Sequence, residues 1–86
     1  MTKILESTIL AEEITSYFED VIGGMYSDIA WYELLVICDN YKHDIITEKR
    51  LLDYLEFTFG FDGQKDLDNV IRKSNKRYNK LAKMVN

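Results

Sequence analysis

Apolar residues recur along most of this chain at helical spacing, and the pattern resolves into four segments. From about Lys3 to Ile22, at roughly 100° per residue, Leu10, Ala11, Ile14, Tyr17, Phe18 and Val21 fall on one face. Glu12, Glu13, Glu19 and Asp20 lie well away from it. That predicts a surface helix with one buried face, stopped by Gly23-Gly24, where glycine adopts the left-handed conformation without penalty. The next segment is different. Every residue from Ile29 to Asn40 is apolar or aromatic except Glu33 and the Asp39-Asn40 end, so a helix here is greasy on nearly every side. It has no internal Gly or Pro and few β-branched residues, which favours helix over buried strand, and Ser27 or Asp28 can cap its start. A helix of that kind predicts burial at the centre of the fold.

The second helix is expected to end near Tyr41 to His43, with Asp44, Ile45 and Ile46 as a short connection. Thr47 is a good N-cap for a third helix, EKRLLDYLEFTF, whose Glu48 complements the helix dipole and which stops at Gly60. Leu51, Leu52, Leu55 and Phe59 form its core stripe. Phe57 points almost opposite Leu55, and Tyr54 lies to one side, so these two aromatics have no obvious place in the same core. A Phe61-Asp62-Gly63-Gln64 turn leads to a fourth helix beginning near Lys65 or Asp66. There Leu67, Val70, Ile71, Ser74, Tyr78, Leu81 and Val85 form one stripe, and Arg72, Lys73, Lys76, Lys80 and Lys83 lie on the other side. The predicted fold is all-α: a small four-helix bundle with a buried central second helix, residues 1–86 forming a single domain.

Composition agrees with a folded helical domain. The chain has 86 residues, 47% of them hydrophobic, with no Pro and four Gly, which leaves long helices and few turns. A chain this short buries only about 60% of its unfolded surface, so its stability is expected to be modest. A single cysteine, Cys38, excludes an intramolecular disulfide and a metal site built on cysteines, and is expected to serve as a small buried hydrophobe. The first residues carry one base followed by acids and no long apolar run. They predict neither a secretory signal nor a membrane span, hence a cytoplasmic protein without a membrane partner.

Charge changes the picture further. All fifteen acids but only five of the eleven bases lie at or before Asp68, a net charge of −10, and the remaining six bases give +6 from Asn69 onward. The body is acidic and the last helix basic. Catalytic chemistry has little to stand on: His43 sits at a helix end beside Asp44 with no nucleophile or orienting partner to be inferred from spacing. Asp62, Gly63, Asp66 and Asp68 superficially resemble a calcium loop, but their order does not fit the alternating oxygen ligands and final Glu that such a loop needs. No Gly-rich phosphate loop is present. The expectation is a protein that is not an enzyme and uses no metal, cofactor or small-molecule substrate.

The basic helix has two readings. With the third helix it can form a helix-turn-helix that presents Arg72, Lys73, Lys76, Arg77 and Lys80 to phosphates. Alternatively its bases answer the acidic helices of the same domain, which the repulsion between an acidic body and a duplex favours. The middle acids, Glu33, Asp39, Asp44, Asp53, Glu56 and Asp62, are either a solvated face or, with Tyr54 and Phe57 as anchors, a surface for a basic protein partner.

The run MYSDIAWYELLVICDNYKHDIITEKRLLDYLEFTFGFD resembles immunity proteins of contact-dependent-inhibition and Maf-type toxin systems. The matching positions are Tyr26, Ala30, Leu34, Ile45, Ile46, Thr47, Leu51, Leu55, Gly60 and Phe61, within the 36 residues from Tyr26 to Phe61. A Pro common in the family's connection is replaced here by Asp44-Ile45. The resemblance implies a cytoplasmic protein that binds the C-terminal domain of a cognate toxin, frequently a nuclease, and blocks its active site. It identifies scaffold positions and no contact residue. Two alternatives stand beside it: a small helix-turn-helix DNA-binding regulator, and a phage-type acidic inhibitor of another host protein.

Overall fold

The computed structural model describes residues 2–25 and 28–85, with side chains described for 5–25 and 30–84. Four helices follow one another: α1 (Thr2–Tyr17), α2 (Asp28–Lys42), α3 (Glu48–Phe59) and α4 (Gln64–Val85). No strand occurs among the described residues, and the chain is the small all-α four-helix bundle its periodicity predicts.

The first helix departs from the expected Lys3–Ile22 span in one respect. Its last turn, Phe18–Ile22, is a π-helix, closed by the Gly23 N–H on the Phe18 carbonyl at 2.8 Å. A π turn holds one residue more than an α turn, so it sets later side chains back by one position. Val21, expected on the core face, is 61% exposed, and Ile22 packs against the core in its place. Gly23 then takes a left-handed φ of 88°, the stop that the Gly-Gly pair predicts.

The centre of the bundle is α1, and this corrects the expectation for the second helix. α1 packs along both α2 and α4, and Ile9, Leu10, Ala11 and Ile14 are buried. Ser7 meets Asp39, and Tyr17 meets Asp66 while Glu12 and Glu13 meet Arg77, so both neighbours run antiparallel to α1. α2 buries Leu34 and Cys38 and half-buries Trp31, Leu35 and Ile37, but leaves Tyr32 and Val36 in solvent. Its all-round apolar sequence therefore serves a core face and an open face. The expected cap Ser27, and Tyr26 of the family match, lie outside the described residues.

Both ends of α3 follow the sequence. The Thr47 hydroxyl accepts the Arg50 N–H at 3.1 Å, and Gly60 ends the helix with φ 72°. Leu51, Leu55 and Phe59 enter the core as expected, and so does Tyr54, which the sequence places off it. Glu48 in the first turn accepts from Tyr41 of α2 and Gln64 of α4, tying three helix ends together. Leu67, Val70 and Ser74 carry the buried stripe of α4. One hydrophobic cluster draws residues from all four helices, and the radius of gyration, 12.4 Å, is close to the value of about 12 Å for a compact chain of this length. No helix among the described residues is long and apolar enough to cross a membrane.

Candidate protein-docking surface

The outer face of α3 is built by helical spacing. Asp53 and Phe57 are four residues apart and Glu56 lies beside them, all three exposed, with Phe57 at 94%. Lys49 reaches Asp53 at 3.9 Å, so the acidic character of this face is partly offset within the helix. Tyr54 does not join them. It is 8% exposed, with its ring 6.0 Å from that of Phe59, because the apolar sector of α3 is wide enough to include it. Tyr54 is a core residue, which corrects its assignment as a partner-binding anchor.

Two of the remaining acids serve turns. Asp44 occupies the left-handed region at φ 58°, where the Ile45 N–H bonds the Asn40 carbonyl at 2.8 Å and its own N–H bonds the Tyr41 carbonyl at 3.2 Å. That is a Schellman stop with Asp in the position glycine usually takes. Asp62 is exposed, and its N–H donates to Asp66 Oδ2 at 2.7 Å. The other oxygen of Asp66 accepts the Tyr17 hydroxyl, which holds the Tyr17 pKa above its usual value.

The open face of α2 is the part the sequence concealed. Tyr32 is 73% exposed and Val36 58% exposed, one turn apart, with Glu33 exposed on one flank and Asp39 half-buried on the other. Beside them a cleft of about 270 Å³ opens between α1 and α2, lined by Ser7, Leu35, Val36 and Asp39. The fully buried Ser7 donates its hydroxyl to Asp39 Oδ1 at 3.0 Å, and His43 Nδ1 lies 3.4 Å from the same oxygen and 2.9 Å from the Asp39 carbonyl. The three residue types match those of a nucleophilic triad, but their order does not. The carboxylate sits between serine and histidine, so His43 has no path to the Ser7 proton. The cluster fastens α1 to α2.

Other groups with nucleophilic potential are quenched. Burial pushes the Cys38 thiol up to about 12, and burial with the hydrogen bond to Glu48 pushes Tyr41 to about 12. Among the described residues no three His, Cys, Asp or Glu side chains converge as a metal ion requires.

The basic residues of α4 divide between two roles. Arg77 forks onto Glu12 Oε1 at 2.8 Å and Glu13 Oε2 at 2.9 Å, and these hydrogen bonds raise its pKa further. Arg72 donates to Asn69 Oδ1 at 3.1 Å. Lys73, Lys76 and Lys80 are exposed, Lys73 at the rim of a small recess with Glu13 and Asp20. For Arg77 the acidic body does answer the basic helix. The contributions of Tyr32 and Val36 went unseen because a helix apolar on nearly every side looks the same whether one or both of its sides are covered, and that of Ser7 because its partner Asp39 lies 32 residues away. Among known protein families, curated proteins and solved structures, none matches this chain.

Proposed function

We propose that this chain is an immunity protein, a stoichiometric inhibitor that binds a basic toxin domain such as a nuclease and covers its nucleic-acid cleft. The observation that carries the reading is Phe57, a large aromatic 94% exposed beside Asp53 and Glu56 on a helix whose opposite face is packed. The fold gains nothing from it there. An exposed aromatic with two carboxylates beside it suits a basic partner, since charge accelerates encounter and the ring, once desolvated, holds the complex. The resemblance over Tyr26 to Phe61 points the same way.

The rival, a helix-turn-helix reader of DNA, draws on the exposed Lys73, Lys76 and Lys80. Two features count against it. A recognition helix meets the duplex with its N-terminal residues, and the first turns of α4 carry Asp66 and Asp68. Arg77, at the edge of the basic face next to the buried stripe, is already engaged by Glu12 and Glu13.

The test is titration calorimetry of this chain against a nuclease domain encoded beside it, at two salt concentrations, with nuclease activity followed in parallel. The expected result is 1:1 binding that weakens with salt and abolishes cleavage. Phe57→Ala is expected to weaken binding by about 2 kcal/mol or more, as an interface anchor does, and reversing Asp53 and Glu56 to Lys by several kcal/mol, about 2–5 for desolvated charges. Binding indifferent to both variants overturns the assignment of this face. Salt-dependent binding of duplex DNA, lost on neutralising Lys73 and Lys76, overturns the inhibitor reading itself.

A further inference from the structure

We infer that the cleft between α1 and α2 is a receptor for one arginine side chain, presented by a basic protein partner and held by the Asp39 carboxylate. The inference rests on the inhibitor reading only for the source of the arginine; the site itself is argued from its own chemistry. Its volume of about 270 Å³ falls short of the roughly 300–1,000 Å³ of a drug-sized ligand site. It exceeds the roughly 150 Å³ that admits a benzene ring. One long side chain fits that range. Leu35 and Val36 supply aliphatic wall for a methylene stem, and Asp39 supplies a single carboxylate.

The carboxylate is prepared for such a guest. The buried Ser7 hydroxyl fixes Asp39 through Oδ1, and among the described residues Oδ2 accepts no hydrogen bond. A carboxylate oxygen with free lone pairs, half withdrawn from water beside apolar walls, is a strong acceptor for a charged donor. Guanidinium suits it better than ammonium. It is more weakly hydrated, presents several N–H donors to a single oxygen, and stacks on aromatic rings, of which Tyr32 offers one, exposed a single turn from Val36. Glu33 on the far flank of Val36 adds charge of the same sign, favouring a cationic visitor. The surface is distinct from the Phe57 face of α3, so a partner that uses both is held at two points.

The experiment is a heteronuclear NMR titration of the full chain with N-acetyl-arginine amide, and with the citrulline and lysine amides as the neutral isostere and the alternative cation. Saturable shifts are expected at Leu35, Val36 and Asp39 with arginine, at least tenfold weaker with citrulline and weaker with lysine. Asp39→Asn keeps the acceptor for Ser7 and removes the charge, and is expected to weaken arginine binding at least tenfold. Val36→Lys, at an exposed position that leaves the core untouched, is expected to do the same by placing an internal cation at the cleft. Citrulline binding as tightly as arginine, shifts confined to residues elsewhere, or undiminished binding by both variants overturns the inference. The outcomes separate from those of the inhibitor reading: failure here with nuclease inhibition intact removes the cleft alone, and arginine binding without inhibition removes the toxin assignment alone.

Discussion

Gly24→Ala is expected to destabilise the protein although nothing about the backbone at that position requires glycine; its φ lies outside the left-handed region. The cause is the ring of Phe18. A Cβ on residue 24 would lie well inside van der Waals contact of Phe18 Cζ and both Cε atoms. Since carbon atoms rest at roughly 3.5–4.0 Å, the ring must move by more than about 1 Å. Phe18 is not free to give way at no cost, because its ring packs edge-on against Phe59 at a centroid separation of 5.0 Å. Losing that pair costs about 0.5–1.5 kcal/mol beyond burial, and re-exposing part of the ring adds about 1–2 kcal/mol. Against this, replacing glycine reduces the entropy of the unfolded chain, worth about 0.4–1 kcal/mol. The net expectation is a loss of about 0.5–3 kcal/mol, or roughly 4–8 °C in Tm for each kcal/mol in a domain of this size. Urea denaturation followed by circular dichroism measures it, and a double-mutant cycle identifies the cause. In a Phe18→Ala background the same Gly24→Ala change should be neutral or stabilising. If it costs as much there as in the parent, the ring is not responsible and the reasoning fails.

Three further expectations follow from other contacts. Tyr54→Ala should cost about 3 kcal/mol, in the range for a buried aromatic, whereas Phe57→Ala should leave stability within about 0.5 kcal/mol; equal effects in urea melts would contradict the division of α3 into core and open faces. Arg77→Ala should cost about 1 kcal/mol at low salt, since Arg77 and Glu12 are half-exposed and only Glu13 is largely buried, and the cost should shrink as salt is added; a salt-independent loss would point to packing instead. Cys38 should resist a thiol reagent at pH 8 until the chain unfolds. With the thiol raised from 9.0 to about 12 in the fold, and Tyr41 from 10.0 to about 12, the unfolded chain releases these protons first, so stability falls as pH rises from about 9 to 12. A flat alkaline profile would refute that, and Cys38→Ala should remove the earliest part of the decline.

Helix number, the caps at Thr47 and Gly60 and the buried stripe of α4 were legible in the sequence because each follows from local spacing and local hydrogen bonding. What the spacing hides is where an element stands among its neighbours. α2 is apolar on every side, yet the helix enclosed by others is α1, whose narrower stripe at Leu10, Ala11 and Ile14 sits between two partners. The inserted residue of the π turn moved Val21 outward and Ile22 inward, a shift that a fixed rotation per residue cannot express. Tyr54 shows the same limit from another side, since the width of a core sector depends on what packs against it. For the candidate surface, Phe57 was readable from its position opposite Leu55. The pairing of Ser7 with Asp39 was not, because it joins residues 32 positions apart.

The packing of α1 between α2 and α4 also bears on how the chain is made. α2 follows α1 directly and can pair with it as a hairpin, but the contacts of Tyr17 with Asp66 and of Glu13 with Arg77 span 49 and 64 residues. At roughly 5–20 residues per second of synthesis, the flank of α1 that faces α4 waits several seconds for its cover. During that interval the nascent hairpin exposes apolar surface, and the core is completed only once α4 has been made and can pack against α1.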